Sequence, residues 1–171
     1  MPGLICESGA VIRVQRATPD HWRLWRELRL RALEESPEAF ASTLAGTLAR
    51  DAAEGESYWQ GFFTAAGLVL VARCGDEPAG MARLVDPGDE QPLELFSLWV
   101  APEARGRGVG ETLIAECLGW AAAHRPRAAM RLAVVETNAP ARRLYERCGF
   151  GVIGRNPDDD AELLMERGPD R

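Results

Sequence analysis

Leu93 to Thr112 reads LELFSLWVAPEARGRGVGET: an apolar strand, a turn carrying Pro102, a glycine-rich loop and the first turn of a helix. A junction of this kind aims unpaired backbone N–H groups and the positive end of a helix dipole at one point. An anion, most naturally a phosphate, is the expected occupant. The loop Arg105-Gly106-Arg107-Gly108-Val109-Gly110 is not a Walker A loop, because no Lys-Ser/Thr follows its glycines. Nor is it the dinucleotide fingerprint, since the spacing differs and no acidic residue follows a second strand ~20 residues on. Three glycines in five positions still let the backbone approach a diphosphate, and Arg105 and Arg107 add positive charge. Taken alone, the loop also fits a turn that merely tolerates glycine.

Downstream of the loop, Leu113, Ile114, Cys117, Leu118 and Ala121 carry a helix to about His124, and Pro126 stops it. His124 complements the C-terminal end of that helix dipole and is not read as a catalytic base. Arg131 to Val135 is a buried strand. Asn138-Ala139-Pro140 then opens a helix over Ala141 to Arg147, which Gly149 ends. Phe150 to Arg155 reads as a strand, Asn156 to Asp160 as a loop, and Ala161 to Glu166 as a last strand.

Upstream, Val11 to Gln15 alternates like a first strand. Thr18 suits an N-cap with Pro19 behind it, and Trp22, Trp25, Leu28 and Leu33 recur at helical spacing to about Glu35. Arg23, Arg26 and Arg29 of this helix read as a solvated face, an arginine meeting substrate at a cleft being the sharper alternative. Ser36 and Pro37 suit the cap and first position of a further helical region, Ala39 to Ala66, broken at Gly46, Gly55 and Gly61. Tyr58, Trp59, Phe62 and Phe63 form an aromatic cluster that serves as a core anchor or, less commonly, as a pocket wall. Gly67 to Arg73 and Ala79 to Val85 read as a hairpin across Gly75-Asp76-Glu77-Pro78.

These elements predict one α/β (α+β) domain over residues 1–171, with a mixed, mostly antiparallel sheet. The formal net charge of −6 argues against a general nucleic-acid binder. No apolar run approaches the ~20 residues needed to cross a membrane, and the first ten residues lack the pattern of a signal peptide. The cytoplasm is therefore the expected compartment. Cys6, Cys74, Cys117 and Cys148 form no C-x-x-C pair and read as reduced, buried thiols, with no metal site expected.

Two motifs at the right separation change what the loop means. R-x-x-G-x-G (Arg105, Gly108, Gly110), followed by N-x-x-A-x-x-L-Y-x-x-x-G-F (Asn138, Ala141, Leu144, Tyr145, Gly149, Phe150), resembles the GNAT superfamily of N-acetyltransferases. The strict resemblance covers about Leu93 to Arg155. It implies a sheet of about six to seven strands with about four helices, an acetyl-CoA-binding core over about 93–155 and acceptor-side elements over about 11–92. It further implies acetyl transfer from acetyl-CoA to a primary amine in a ternary complex. The pyrophosphate would lie on amides from about Arg107 to Thr112, through Gly108, Val109 and Gly110, with Arg105 and Gly106 beside them. The pantetheine arm would pair with Leu98, Trp99 and Val100 where two strands splay, and Asn138 would touch the cofactor from the neighbouring strand end. The Leu98 amide would face the thioester carbonyl. Tyr145 matches the family position that protonates the departing thiolate, a task a close phenol can perform. A homodimer is common for such folds.

Glu94 is the candidate base. It stands four residues before Leu98, so simple alternation puts both on one face about 13 Å apart, and Ser97 on the other unless a bulge intervenes. Glu94 either takes the proton of the amine through a water or only attracts a cationic amine. The acidic loops Asp86 to Pro92 and Asn156 to Asp160 also fit a small cationic acceptor. A protein N-terminus or lysine is the alternative acceptor. A catalytically weak CoA-binding or sensor domain, or a nucleotide binder using the same loop, are the alternatives of another class.

Overall fold

The computed structural model describes residues 11–88 and 90–169. Seven strands form one sheet in the order β1-β2-β3-β4-β5-β7-β6. They are β1 (Ile12–Arg16), β2 (Gly67–Cys74), β3 (Glu77–Val85), β4 (Leu93–Val100), β5 (Met130–Val135), β6 (Gly151–Asn156) and β7 (Asp159–Arg167). Every neighbouring pair is antiparallel except β4 and β5. Five α-helices accompany them: α1 (Trp22–Glu35), α2 (Leu44–Glu54), α3 (Glu56–Gln60), α4 (Val109–His124) and α5 (Ala139–Arg147). The resemblance implied about four. The difference lies in residues 39–66, where Gly55 at φ 57 separates α2 from the five-residue α3.

That stretch also departs from the expected cap. Ser36 and Pro37 begin only a short 3-10 turn, Pro37–Ala39, because Phe40 leaves it in an extended conformation at φ −135 and ψ 141. The ring of Phe40 is thereby brought under the Arg29 guanidinium, 4.6 Å away. Helix α2 starts later, where Thr43 Oγ1 accepts the Gly46 N–H at 3.1 Å.

The sheet is a two-faced wall. Helix α4 covers the face of Gly80, where an added Cβ would stand 3.4 Å from both Leu113 and Val109. The face of Met81 and Trp99 meets α1, since Trp99 Nε1 donates to Glu35 at its end. Trp25, Leu28, Leu33, Trp59, Leu70, Met81, Leu84, Leu93, Leu113 and Ile114 are fully buried, which is the main store of hydrophobic stabilisation. Trp59 is therefore core, and its indole N–H donates to Asp51 at 2.7 Å, while Phe62 and Phe63 are only half-buried.

The cysteines split. Cys117 and Cys148 are free thiols, but Cys74 is disulfide-bonded, which overturns the expectation of a reduced thiol there. Antiparallel pairing of β1 with β2 sets Ile12 opposite Cys74, so the start of β1 lies beside a cysteine remote in sequence. Cys6 lies outside the described residues. Among the described residues no helix is long and apolar enough to cross a membrane, and no group of three or more His, Cys, Asp or Glu is placed to hold a metal.

Candidate active site

Strand β4 opens the site by parting from its neighbour. Parallel pairing with β5 holds at Leu93–Met130 and Glu94–Arg131 and then stops, so the β5-facing edge of β4 beyond Glu94 has no strand against it. An unpaired edge is a template for another extended chain.

The other side of β4 carries a bulge. Phe96 pairs with Arg83 and Trp99 with Met81, so Ser97 and Leu98 together oppose Ala82. Ser97 has φ 56, the one positive value at a non-glycine among the described residues. The bulge corrects the simple alternation. Glu94, Phe96 and Trp99 oppose Val85, Arg83 and Met81 and share one face, so parity no longer places Leu98 beside Glu94. Ser97, expected on the far face, turns its Oγ toward α1, 3.5 Å from Arg29 Nη1.

Beyond Val100 the chain makes a 3-10 turn, Pro102–Ala104, and enters the glycine loop. Gly106 and Gly108 have φ 71 and 79, values that side chains oppose, and Gly108 caps α4 without any side-chain bond. The amides of Gly108, Val109, Gly110 and Glu111 are the ones a helix start leaves without intrahelical partners. Thr112 is different. Its N–H and its hydroxyl both return to the Gly108 carbonyl, at 2.9 and 2.8 Å, so the expected row of amides ends at Glu111.

Arg105 is also committed elsewhere. Its Nε donates to the Val100 carbonyl at 3.0 Å and its Nη2 to Glu35 Oε2 at 2.6 Å. The same carboxylate oxygen accepts from Trp99 and Ser36. Arg105, first of all, holds the Glu35 carboxyl down to about 2. This arginine fastens the loop to β4 and α1 through its Nε and Nη2.

Helix α5 packs against the start of α4. A Cβ on Gly110 would come 2.8 Å from Leu144 Cδ2, and Arg147 reaches Glu111 at 2.5 Å. Asn138 caps α5 with its Oδ1, which accepts the Ala141 N–H at 3.2 Å and leaves the side-chain NH2 as its donor. Tyr145 is 8% exposed and lies edge-on to Phe150 at 6.1 Å. Burial pushes its phenol above the ordinary tyrosine range, so it stays protonated.

On the α1 face, Glu94 is exposed and Arg29 is 7% exposed, so Arg29 does not belong to a solvated face as its spacing suggested. Arg26 pairs with Asp51 at 2.6 Å. In the loop after β3, Asp86 pairs with Arg125, which ties it to the C-terminal end of α4. Asp159 is spent on the Ala161 amide at 2.9 Å. His124 stacks on Trp120 at 4.5 Å at the exposed end of α4.

A parted parallel pair, a bulge at the parting and a glycine-capped helix start make up the candidate site. The acetyltransferase (GNAT) family model matches residues 22–150, and the chain belongs to that family. A mycothiol acetyltransferase from Salinispora arenicola is 33% identical over 150 residues, covering 84% of this chain and 45% of the relative. The chain thus spans less than half the length of the curated relatives it matches. A GCN5-related N-acetyltransferase from Kribbella flavida is 27% identical, with a TM-score of 0.69 over 92% of this chain and 97% of that one. The PaiA N-acetyltransferase from Thermoplasma acidophilum, crystallised in complex with coenzyme A, shares the fold at a TM-score of 0.74 and 16% identity, over 92% of this chain and 98% of that one.

Proposed function

We propose that this protein is an acetyl-CoA-dependent N-acetyltransferase acting on a small primary amine that is cationic at neutral pH. The observation that carries the reading is the open β4 edge running directly into the unpaired amides of α4. The residues present fit acetyl-CoA: an extended arm has a strand edge to pair with, and a pyrophosphate has amides and a positive dipole end. Gly106, with no atom within 4 Å of an added Cβ, leaves room for close approach. When bound, acetyl-CoA supplies the acetyl group as an activated thioester.

The amides of residues 107–111 would hold the pyrophosphate, with Thr112 shaping that turn through Gly108. Leu98, Trp99 and Val100 would offer the strand edge, and Asn138 its free amide donor. The Leu98 amide, beside a bulge that breaks the ladder, would stabilise negative charge on the carbonyl oxygen. Tyr145 keeps its proton because of burial and would deliver it to the departing sulfur. Glu94, exposed on the α1 face, would receive the proton of the attacking amine through a water.

Arg105 becomes a positioning residue in this reading, since its Nε and Nη2 donate to Val100 and Glu35. Relatives named for mycothiol, not for a protein, support a small-molecule acceptor. Calorimetry with CoA and with ATP tests the donor, and free-thiol release across a panel of amines tests the transfer. Tighter binding of ATP than of CoA would sink the proposal.

A further inference from the structure

Most arginines of this protein that approach a carboxylate hold one: Arg26 with Asp51, Arg31 with Glu103, Arg105 with Glu35, Arg131 with Glu166, Arg147 with Glu111 and Arg155 with Glu136. Two desolvated arginines at the β4 bulge hold none among the described residues. Arg29 projects from α1, its guanidinium 4.6 Å over the Phe40 ring, with the Ser97 hydroxyl at 3.5 Å as its polar neighbour. Arg83 projects from β3 opposite Phe96, one position from the bulge, with its guanidinium 5.4 Å over the Phe62 ring. Phe62 packs 5.8 Å from Trp25 of α1, so both arginines lie on the face that also carries Glu94.

Burial works against the charge of both guanidinium groups. A buried charge without a counter-charge costs stability, so packing alone gives no reason to keep two of them. Aromatic rings under a guanidinium engage its faces and fix its plane, while the in-plane N–H fork remains the part suited to a carboxylate.

We infer that Arg29 and Arg83 form a carboxylate subsite beside the Ser97–Leu98 bulge, and that the acceptor amine also carries a carboxylate group. The inference rests on the acetyl-transfer reading and adds the second functional group of the acceptor. Glu94 stands two ladder positions from Phe96 on the same face, so one small molecule can present its amine near Glu94 and its carboxylate to the arginines.

The test uses glycine, β-alanine, γ-aminobutyrate and leucine, each against its methyl ester. Titration calorimetry on the protein saturated with CoA reads the subsite without turnover, and free-thiol release with acetyl-CoA reads transfer. At least one free acid should bind about tenfold tighter than its ester. Arg83→Gln, at a half-buried position, should collapse that ratio toward one by raising KM, with CoA affinity unchanged. Arg29→Lys should keep the fold and lose part of the ratio, since a point charge replaces a fork. Equal binding of acids and esters across the panel, or an Arg83→Gln protein with the full ratio, overturns the subsite. Acid-selective binding with no thiol release from any amine upholds the subsite and overturns acetyl transfer instead.

Discussion

Glu35 Oε2 lies 2.6 Å from Arg105 Nη2, and this contact joins the end of α1 to the glycine loop seventy residues later. Arg105 also grips the Val100 carbonyl, so one ion pair sets the loop against the strand that precedes it. The Glu35 carboxyl falls from 4.5 to about 2, chiefly through Arg105. A carboxyl with a lowered folded pKa stabilises the fold above its unfolded pKa and loses that contribution as pH falls toward the folded value. Wild-type melting temperature should therefore decline between about pH 4.5 and 2 more steeply than that of Glu35→Gln, read by scanning calorimetry at a series of pH values. Near neutrality the substitution should cost on the order of 1 kcal/mol, because both partners are partly solvated. Parallel pH curves for the two proteins would refute the linkage.

Two glycines should respond to alanine with opposite signs. A Cβ on Gly80 would meet the Trp99 carbonyl at 2.8 Å, a backbone atom that cannot rotate away. Gly80→Ala should cost about 2 kcal/mol, or roughly 4–8 °C in Tm. Gly119, within α4, has nothing within 4 Å of an added Cβ. Gly119→Ala should stabilise by roughly 0.5–1 kcal/mol through backbone entropy. Thermal melts of both variants decide the matter, and a stabilised Gly80→Ala protein would contradict the packing described.

Tyr145→Phe removes one hydroxyl from a buried ring and keeps its edge-on contact with Phe150. Turnover should fall by about 100-fold, the lower range for a general acid, while calorimetric CoA affinity stays within a factor of about two. Since burial raises the phenol pKa, tyrosine ionisation should produce no alkaline loss of kcat below about pH 10. Unchanged turnover would remove Tyr145 from the acid role.

Glu94→Gln separates proton removal from attraction. As a base, Glu94 should contribute about 100-fold to kcat near neutrality, with the deficit shrinking at higher pH as the free amine becomes abundant. As an attracting charge it would change KM and leave kcat alone. Stopped assays of thiol release over a pH series distinguish the two.

Much of the scaffold was legible because its signals are local. The apolar spacing of α4, the Asn138-Ala139-Pro140 start of α5, and the hairpin of β2 and β3 are each fixed by neighbours within a few residues. The glycines at 106 and 108 marked the loop, where the structure finds them left-handed, and the paired motifs gave the family. Even the cap of the second helical region failed only because Phe40 left its turn to meet Arg29 from another element.

The working details of the site were not local. A bulge is one extra residue against a partner strand, and nothing in Phe96-Ser97-Leu98 alone says that Ala82 will face two of them. That single insertion decides that Glu94 shares its face with Trp99 and that Ser97 turns to α1. In the same way nothing local to Arg105 announces Glu35 of α1 as its partner, and nothing local to Asp86 announces Arg125. Sequence by itself determined the family, the glycine-capped helix start and the identity of the chemical groups, since these follow from backbone freedom and periodicity. Only the tertiary structure decided which charges are neutralised and which, as at Arg29 and Arg83, are left beside the bulge, because pairing depends on what distant segments bring into contact.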